Sequence, residues 1–380
     1  MSTLRTGPRP ADFADVRAQN LAVVLRHVRV AAPCSRAQIA ASTGLNKATV
    51  SSLVAELIDR RVLRETGLTE NRIGRPATML VLDGSGYVGI GIELGTDHLT
   101  AIAVDLAGRR VLTWRQSWSA AHRGAGRRMA ELIGLARRAA ARVRGTGGTV
   151  VGLNVAVPGL VDSAGVVRRA DALGWTDVEL RRSLERALAD PAHPIGVHDN
   201  ATLGALAEYR YGVHAGTAHL LYLAGPPGGA VGIINAGVPL RGAHGYGGVF
   251  GHAGVPLPHT GADSGARFPV DLDVELLARR AGAGDEPPLA ALDEVGSRLG
   301  PGLAVLVNLL DPAAVLLGGH YAPLARWLVP PIERELRPHT VAPDAGALRI
   351  AASTHGYEAP ALGGAVLALD AMDSAGVATH

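Results

Sequence analysis

The chain carries one cysteine, Cys34, in 380 residues. That excludes an intrachain disulfide framework and any zinc site built on clustered thiolates. Aromatic residues make up only 4% of the sequence. A core must therefore be assembled from Ala, Val, Leu and Ile, which suits stacked α/β layers. Long uninterrupted apolar runs are lacking too. The most apolar stretches, around 220–240 and 303–317, are broken by Pro, Gly, Asn or Asp and read as buried strands and helices rather than membrane spans. The first residues show no continuous apolar segment of the secretory kind. These absences lead us to expect a cytoplasmic protein in a reducing compartment. Lysine is nearly missing as well: Lys47 stands alone against 36 arginines. We read that usage as genomic base composition.

What is present is unevenly distributed. Residues 1–80 hold 12 Lys+Arg against 6 Asp+Glu, a balance of +6, whereas residues 81–380 hold 25 against 28, a balance of −3. A basic head on a mildly acidic body fits a nucleic-acid-binding module joined to something else. Charge alone fits a solvated basic face equally well.

Leu21, Val24, Leu25 and Val28 fall at i, i+3, i+4, i+7, the apolar stripe of a helix. After Pro33, Ser35 opens a second helix with Gln38 as capping-box partner, and Gly44 ends it. Asn46 is a good N-cap for a third helix, in which Val50, Leu53, Val54 and Leu57 repeat the stripe. Two short helices joined by a glycine turn and preceded by another make a helix-turn-helix. Its third helix offers Lys47, Thr49, Ser51 and Ser52 on the faces away from the apolar seam. Small polar groups and one cation near a helix N-terminus suit base edges and phosphates in a major groove. A three-helix bundle with a polar face is the plainer alternative. Residues 62–65 and 79–82 then read as two strands flanking a wing-like loop that contains Arg72-Ile73-Gly74-Arg75-Pro76. Such a unit can place an arginine in a narrow minor groove. The expected DNA contacts are Arg36, Asn46, Lys47, Thr49, Ser51, Ser52, Arg72 and Arg75.

Arg36-Ala37-Gln38-Ile39-Ala40, then Thr43 to Ser51, then Gly74-Arg75-Pro76 resemble the N-terminal part of the repressor branch of the ROK (repressor, open reading frame, kinase) family. The resemblance runs over nearly the whole chain. It implies an α/β fold: a winged helix-turn-helix over residues 1–82 and a two-lobed, actin-like (ribonuclease-H-like) sugar-kinase domain over 83–380. Residues 88–94 alternate Gly with Ile and lead into strands at 99–106 and 110–114. A similar unit recurs at 219–223, 230–235 and 238–241. Two copies of one hairpin unit imply two similar lobes about a cleft, which in the family holds nucleotide and sugar. Helices are expected at 127–144, 203–211, 300–310, 322–336 and 360–371, with strands at 195–198 and 314–317. Pro158-Gly159, Gly174-Trp175 and Leu317-Gly318-Gly319 match family patterns beside that cleft.

The kinase chemistry is another matter. The family's first phosphate loop resembles Asp-x-Gly-Gly-Thr, and here reads Glu93-Leu94-Gly95-Thr96. The second, at 228–233, is partly kept. The family's base is the Asp of Asn-Asp-Ala at a strand end. Aligned on Ala201 and Glu208, Asn200 occupies that position, and an amide has no usable basicity near neutral pH. Asp199 substitutes only by a one-residue shift, and neighbouring strand side chains point to opposite sides. The sugar motif Gly-Glu-x-Gly-His reads Gly248-Val249-Phe250-Gly251-His252. The family's Cys-rich zinc cluster has no counterpart around 258–273, so neither metal nor cofactor is expected. His252 is then either a structural histidine or a retained ligand contact. The family's asparagine before Gly174-Trp175 is also replaced, by Asp171-Ala172-Leu173.

The expected function is thus a DNA-binding regulator of carbohydrate metabolism, a repressor on a double-stranded operator, with a catalytically silent body that dimerises or tetramerises. A sugar or sugar-derived effector would contact Asp199, Asn200, Gly248 and His252. The competing readings are an active ATP-dependent sugar kinase with an extra head, and a scaffold that binds DNA without an effector.

Overall fold

The computed structural model describes residues 13–69, 78–117, 124–189, 193–225, 229–248, 273–342 and 348–372. The head consists of α1 (Phe13–Ala31), β1 (Cys34–Ser35), α2 (Arg36–Thr43), α3 (Lys47–Asp59), β2 (Leu63–Thr69) and β3 (Thr78–Leu82). Leu21, Val24, Leu25 and Val28 of α1 meet Ile39 of α2 and Val50, Leu53, Val54 and Leu57 of α3, all at most 2% exposed. Burying each such side chain stabilises the head by roughly 1.5–3 kcal/mol. The helix ends are set locally. The Ser35 side chain and Gln38 form a reciprocal capping box, and Gly44 at φ 75° closes α2 in the left-handed region. The three strands pair antiparallel in the order β1-β3-β2. β2 runs to Thr69, four residues beyond the strand expected from sequence, because its pairing with β3 resumes at Thr69–Thr78 after a register shift.

The body begins with β4 (Tyr87–Leu94), β5 (His98–Asp105), β6 (Arg110–Ser117), α4 (Ala125–Gly145) and β7 (Thr149–Val157). A small antiparallel sheet follows, β8 (Leu160–Val161), β9 (Val167–Ala170) and β10 (Trp175–Val178), then α5 (Leu180–Leu188), β11 (Ile195–Asp199) and α6 (Asn200–Tyr211). The second lobe comprises β12 (Leu220–Leu223), β13 (Val231–Asn235), β14 (Val238–Pro239), α7 (Val274–Gly282), α8 (Glu286–Leu310), β15 (Ala314–Leu317), α9 (Ala325–Leu336) and β16 (Arg349–Ala352). α10 (Ala359–Ala371) returns to the first lobe and packs on β4, β7 and α6.

The two five-stranded sheets run β11-β7-β4-β5-β6 and β14-β13-β12-β15-β16. Counted from the first strand of each lobe, both read 3-2-1-4-5. In both, the first three strands pair antiparallel and the last two add parallel. The repeated hairpin unit seen in the sequence is therefore the leading half of each sheet. The alternating glycines of β4 have a packing cause. A Cβ at Gly91 would lie 1.8 Å from the Ala361 carbonyl oxygen of α10, and one at Gly89 would lie 2.1 Å from that of Ala365. α8 starts fourteen residues before the helix expected from sequence. Gly296, Gly300 and Pro301 look like breakers, yet the two glycines admit α9: a Cβ at Gly296 would meet Pro331 at 2.4 Å.

Candidate nucleic-acid interface and interlobe cleft

α3 buries Val50, Leu53, Val54 and Leu57 and turns its first two turns outward. Asn46 sits at its N-cap with its side-chain oxygen accepting from Thr49 N at 2.8 Å, so that oxygen is engaged within the protein. Lys47 is exposed, Thr49 half-buried, and Ser51 and Ser52 exposed. The Ser51 hydroxyl donates back to the Lys47 carbonyl at 2.9 Å. Ser52 Oγ receives Arg17 of α1 at 3.4 Å, and Arg17 also pairs with Glu56. Arg36, at the start of α2, pairs with Glu65 of β2 at 2.8 Å with a third of its side chain exposed. Six of the eight expected contact residues therefore lie on α2 and α3 or at the α3 cap. Arg72 and Arg75 fall outside the described residues, as does His252. Arg17 was missed in the sequence reading because its partners, Ser52 and Glu56, are 35 and 39 residues away.

Between the lobes, Glu93 stands one residue before the end of β4 and His98 opens β5. The His98 ring is 4% exposed. Its Nδ1 lies 2.7 Å from Asp97 Oδ1 and its Nε2 3.2 Å from Glu93 Oε2. The second lobe reaches in with His320, just after β15, whose Nε2 is 3.4 Å from Asp97 Oδ2. The Tyr357 ring stands edge-on to both imidazoles, with centroids at 5.8 Å and 5.2 Å, and the Arg115 guanidinium lies 4.7 Å from that ring. Burial alone would push His98 down, but the carboxylates of Glu93 and Asp97 outweigh it and lift the imidazole to about 9. Burial would likewise raise Asp97, yet hydrogen bonds from His320 and His98 hold its carboxyl well below the usual range. His98 is thus an imidazolium between two carboxylates.

This cluster occupies the loop that corresponds to the family's first phosphate cradle. Here the Glu93 and Asp97 carboxylates are already engaged with the His98 ring, at 3.2 and 2.7 Å. The space that Glu93, Thr96, His98, Asn200, Tyr222 and His320 line among the described residues measures about 20 Å³, room for a single water. Asn200 lines it as the first residue of α6. Asp199 is the N-cap of that helix, its Oδ1 accepting from Thr202 N at 2.7 Å, while burial raises its carboxyl. Gly248 is held by backbone: at φ 85° its carbonyl accepts from Val231 N at 2.7 Å, and a Cβ would lie 1.9 Å from the Val231 oxygen. The structure thus brings Asn200 to the cleft and accounts for Asp199 and Gly248 by local backbone needs. Sequence reading passed over Asp97, His98, His320 and Tyr357. The one available signal was the Asp97-His98 pair directly after Gly95-Thr96.

Among the described residues no group of three or more His, Cys, Asp or Glu side chains is disposed to hold a metal ion. The sole thiol, Cys34, is buried in the head, and burial raises it above its ordinary range. Among the described residues no helix is long and apolar enough to cross a membrane.

Comparison with known proteins agrees with this architecture. The xylose repressor of Bacillus subtilis (strain 168) is 24% identical over 378 residues, covering 95% of this chain and 97% of that protein. The DNA-binding transcriptional dual regulator NagC of Escherichia coli (strain K12) is 26% identical over 353 residues, covering 84% of each. Among solved structures, a ROK family transcriptional regulator, a homologue of the E. coli MLC protein, superposes with a TM-score of 0.75 at 21% identity over 95% of this chain and 98% of that one. A ROK family glucokinase from Streptomyces griseus, in complex with glucose and AMPPNP, superposes at 0.61 and 22% identity over 74% of this chain and 98% of that one. Residues 89–267 and 264–371 match the ROK family itself, and the chain belongs to that family.

Proposed function

We propose that this chain is a DNA-binding transcriptional repressor whose kinase-like body no longer transfers phosphate. One observation supports the reading: Asn200, aligned with the family's general base, lines a cleft beside the chain's own Glu93–His98–Asp97 cluster. General-base help is worth about 10²–10⁴-fold in such a transfer, and an amide supplies none. The basic head with its outward-facing α3 remains as the working surface, with Lys47 and Arg36 on phosphates and Asn46, Thr49, Ser51 and Ser52 near base edges. Arg72 and Arg75 extend it into the minor groove. The repressor names of the xylose and N-acetylglucosamine relatives support this assignment.

The body, from about residue 83, serves as effector and assembly domain. Valine at 249, in place of the family's glutamate, favours a ligand less hydroxylated than glucose, held beside Asn200 and His252. A homodimer or homotetramer would set two heads on half-sites about one helical turn apart, in the cytoplasm. The test is enrichment of a duplex from a random pool by the purified protein, then mobility shifts over a salt series. Sequence-specific, salt-dependent binding together with background ADP release on hexoses is expected. Indifference to duplex sequence with brisk hexose phosphorylation would reject the reading.

A further inference from the structure

The interlobe cluster and the head are joined through one buried helix. α10 starts at Ala359, directly after Tyr357 and Glu358. Its first end is held at the cleft: Tyr357 stands against His98 and His320, Pro360 lines the cavity, and Glu358 pairs with Arg110 of β6. Its other end carries Asp370. One carboxylate oxygen receives Arg29 of α1 at 2.5 Å and the other receives Arg210 of α6 at 2.8 Å. The Arg29 and Asp370 side chains are only 15% and 18% exposed. Thirteen residues at 1.5 Å each place the two ends about 20 Å apart.

The path between them is stiff. Gly89 and Gly91 bring the β4 backbone against α10 on one side. On the other, a Cβ at Gly363 would lie 1.8 Å from the Leu203 carbonyl oxygen of α6. Backbone on backbone leaves no flexible side chain to absorb a displacement, so the helix moves as a body or not at all. The Asp370 end has room to shift, since it borders a cavity of about 340 Å³ shared with Asn154 and His198. Arg29 directly follows Val28, which is fully buried in the head core, so a pull on Arg29 is a pull on α1.

We propose that α10 is a coupling rod: rearrangement of the Glu93–Asp97–His98–His320 cluster shifts α10 along its glycine-lined groove and reorients the DNA head through Asp370 and Arg29. This rests on the reading of the chain as a DNA-binding regulator. Coupling of this kind is a differential free energy between two sites, so it is measurable without knowing the natural effector.

The experiment is a double-mutant cycle in the full chain. The probe is a duplex that the wild-type protein enriches from a random pool. His98→Ala should change the affinity for that duplex at least about 5-fold, the lower end of typical coupling. In the Asp370→Asn background the same substitution should change it by less than about 2-fold. An equal shift in both backgrounds, or no shift from His98→Ala, overturns the proposal. Where His98→Ala does not fold, His98→Gln, which keeps the volume and removes the charge, takes its place in the cycle. Amide hydrogen exchange without DNA gives a second reading. Altered protection around Arg29 in the His98 variant supports the rod, and change confined to the cleft loops overturns it. A wild-type protein that enriches no duplex would sink the regulator reading alone, while the exchange measurement still decides the coupling.

Discussion

Lys47 is the one lysine of the chain and stands exposed on the first turn of α3, the helix proposed to face a major groove. In its proposed role as a point charge on a phosphate, it would carry affinity rather than sequence preference. Lys47→Ala should weaken binding to all duplexes alike and lower the slope of log affinity against log salt by about 1, read from mobility shifts between 50 and 200 mM salt. Asn200 makes the opposite kind of prediction. Restoring a carboxylate there, Asn200→Asp, should leave hexose phosphorylation at background in an ADP-release assay, because Glu93, Asp97 and His98 still occupy the phosphate loop. Recovered turnover would mean that the base alone was missing. The same cluster fixes a pH dependence. His98 is raised in the folded state, so its contribution is complete below pH 6.5, the ordinary imidazole value, and is lost as pH rises through about 9. Asp97 is lowered, so its contribution is present above pH 3.8 and lost in acid. His198 works the other way: burial holds its imidazole down to about 3, so it costs stability as pH falls below 6.5, and denaturant unfolding should therefore show greatest stability near pH 6.5. It should fall on the order of 3 kcal/mol towards pH 9, and His98→Gln should flatten that alkaline limb.

At the scale of elements, caps and close approaches decide more than propensity. Ser35 and Gln38 satisfy each other's end of α2, so Ser35→Ala should cost about 1 kcal/mol of stability by thermal or denaturant unfolding. Gly91 shows how a strand residue can be dictated by a helix far away in sequence. Gly91→Ala would drive a methyl into the Ala361 carbonyl and should destabilise the body by about 1–3 kcal/mol or more, whereas an exposed alanine elsewhere would be neutral. Periodicity in α1 and α3 was legible because it needs only neighbours in sequence. The first fourteen residues of α8 were not, because Gly296, Gly300 and Pro301 are breakers by local rules and become acceptable only against α9. Asp199 likewise reads as a candidate ligand on a strand end, but the helix begins one residue later and takes its carboxylate as cap.

Over the whole molecule, one apolar cluster runs from Leu25 and Val28 in the head through Leu369 and Met372 to Leu220 and Tyr222 in the second lobe, so the head is docked on the body by shared core as well as by Arg29. The sequence by itself was enough for the helix-turn-helix, the two like lobes and the amide at position 200. Those features are carried by stripes, caps, turn glycines and single substitutions, all readable within a few residues. Only the tertiary structure put Asp97 against His320, 223 residues on, and Asp370 against Arg29, 341 residues back. Those charges gain from each other's company only after folding has removed water from around both, and no local pattern records that.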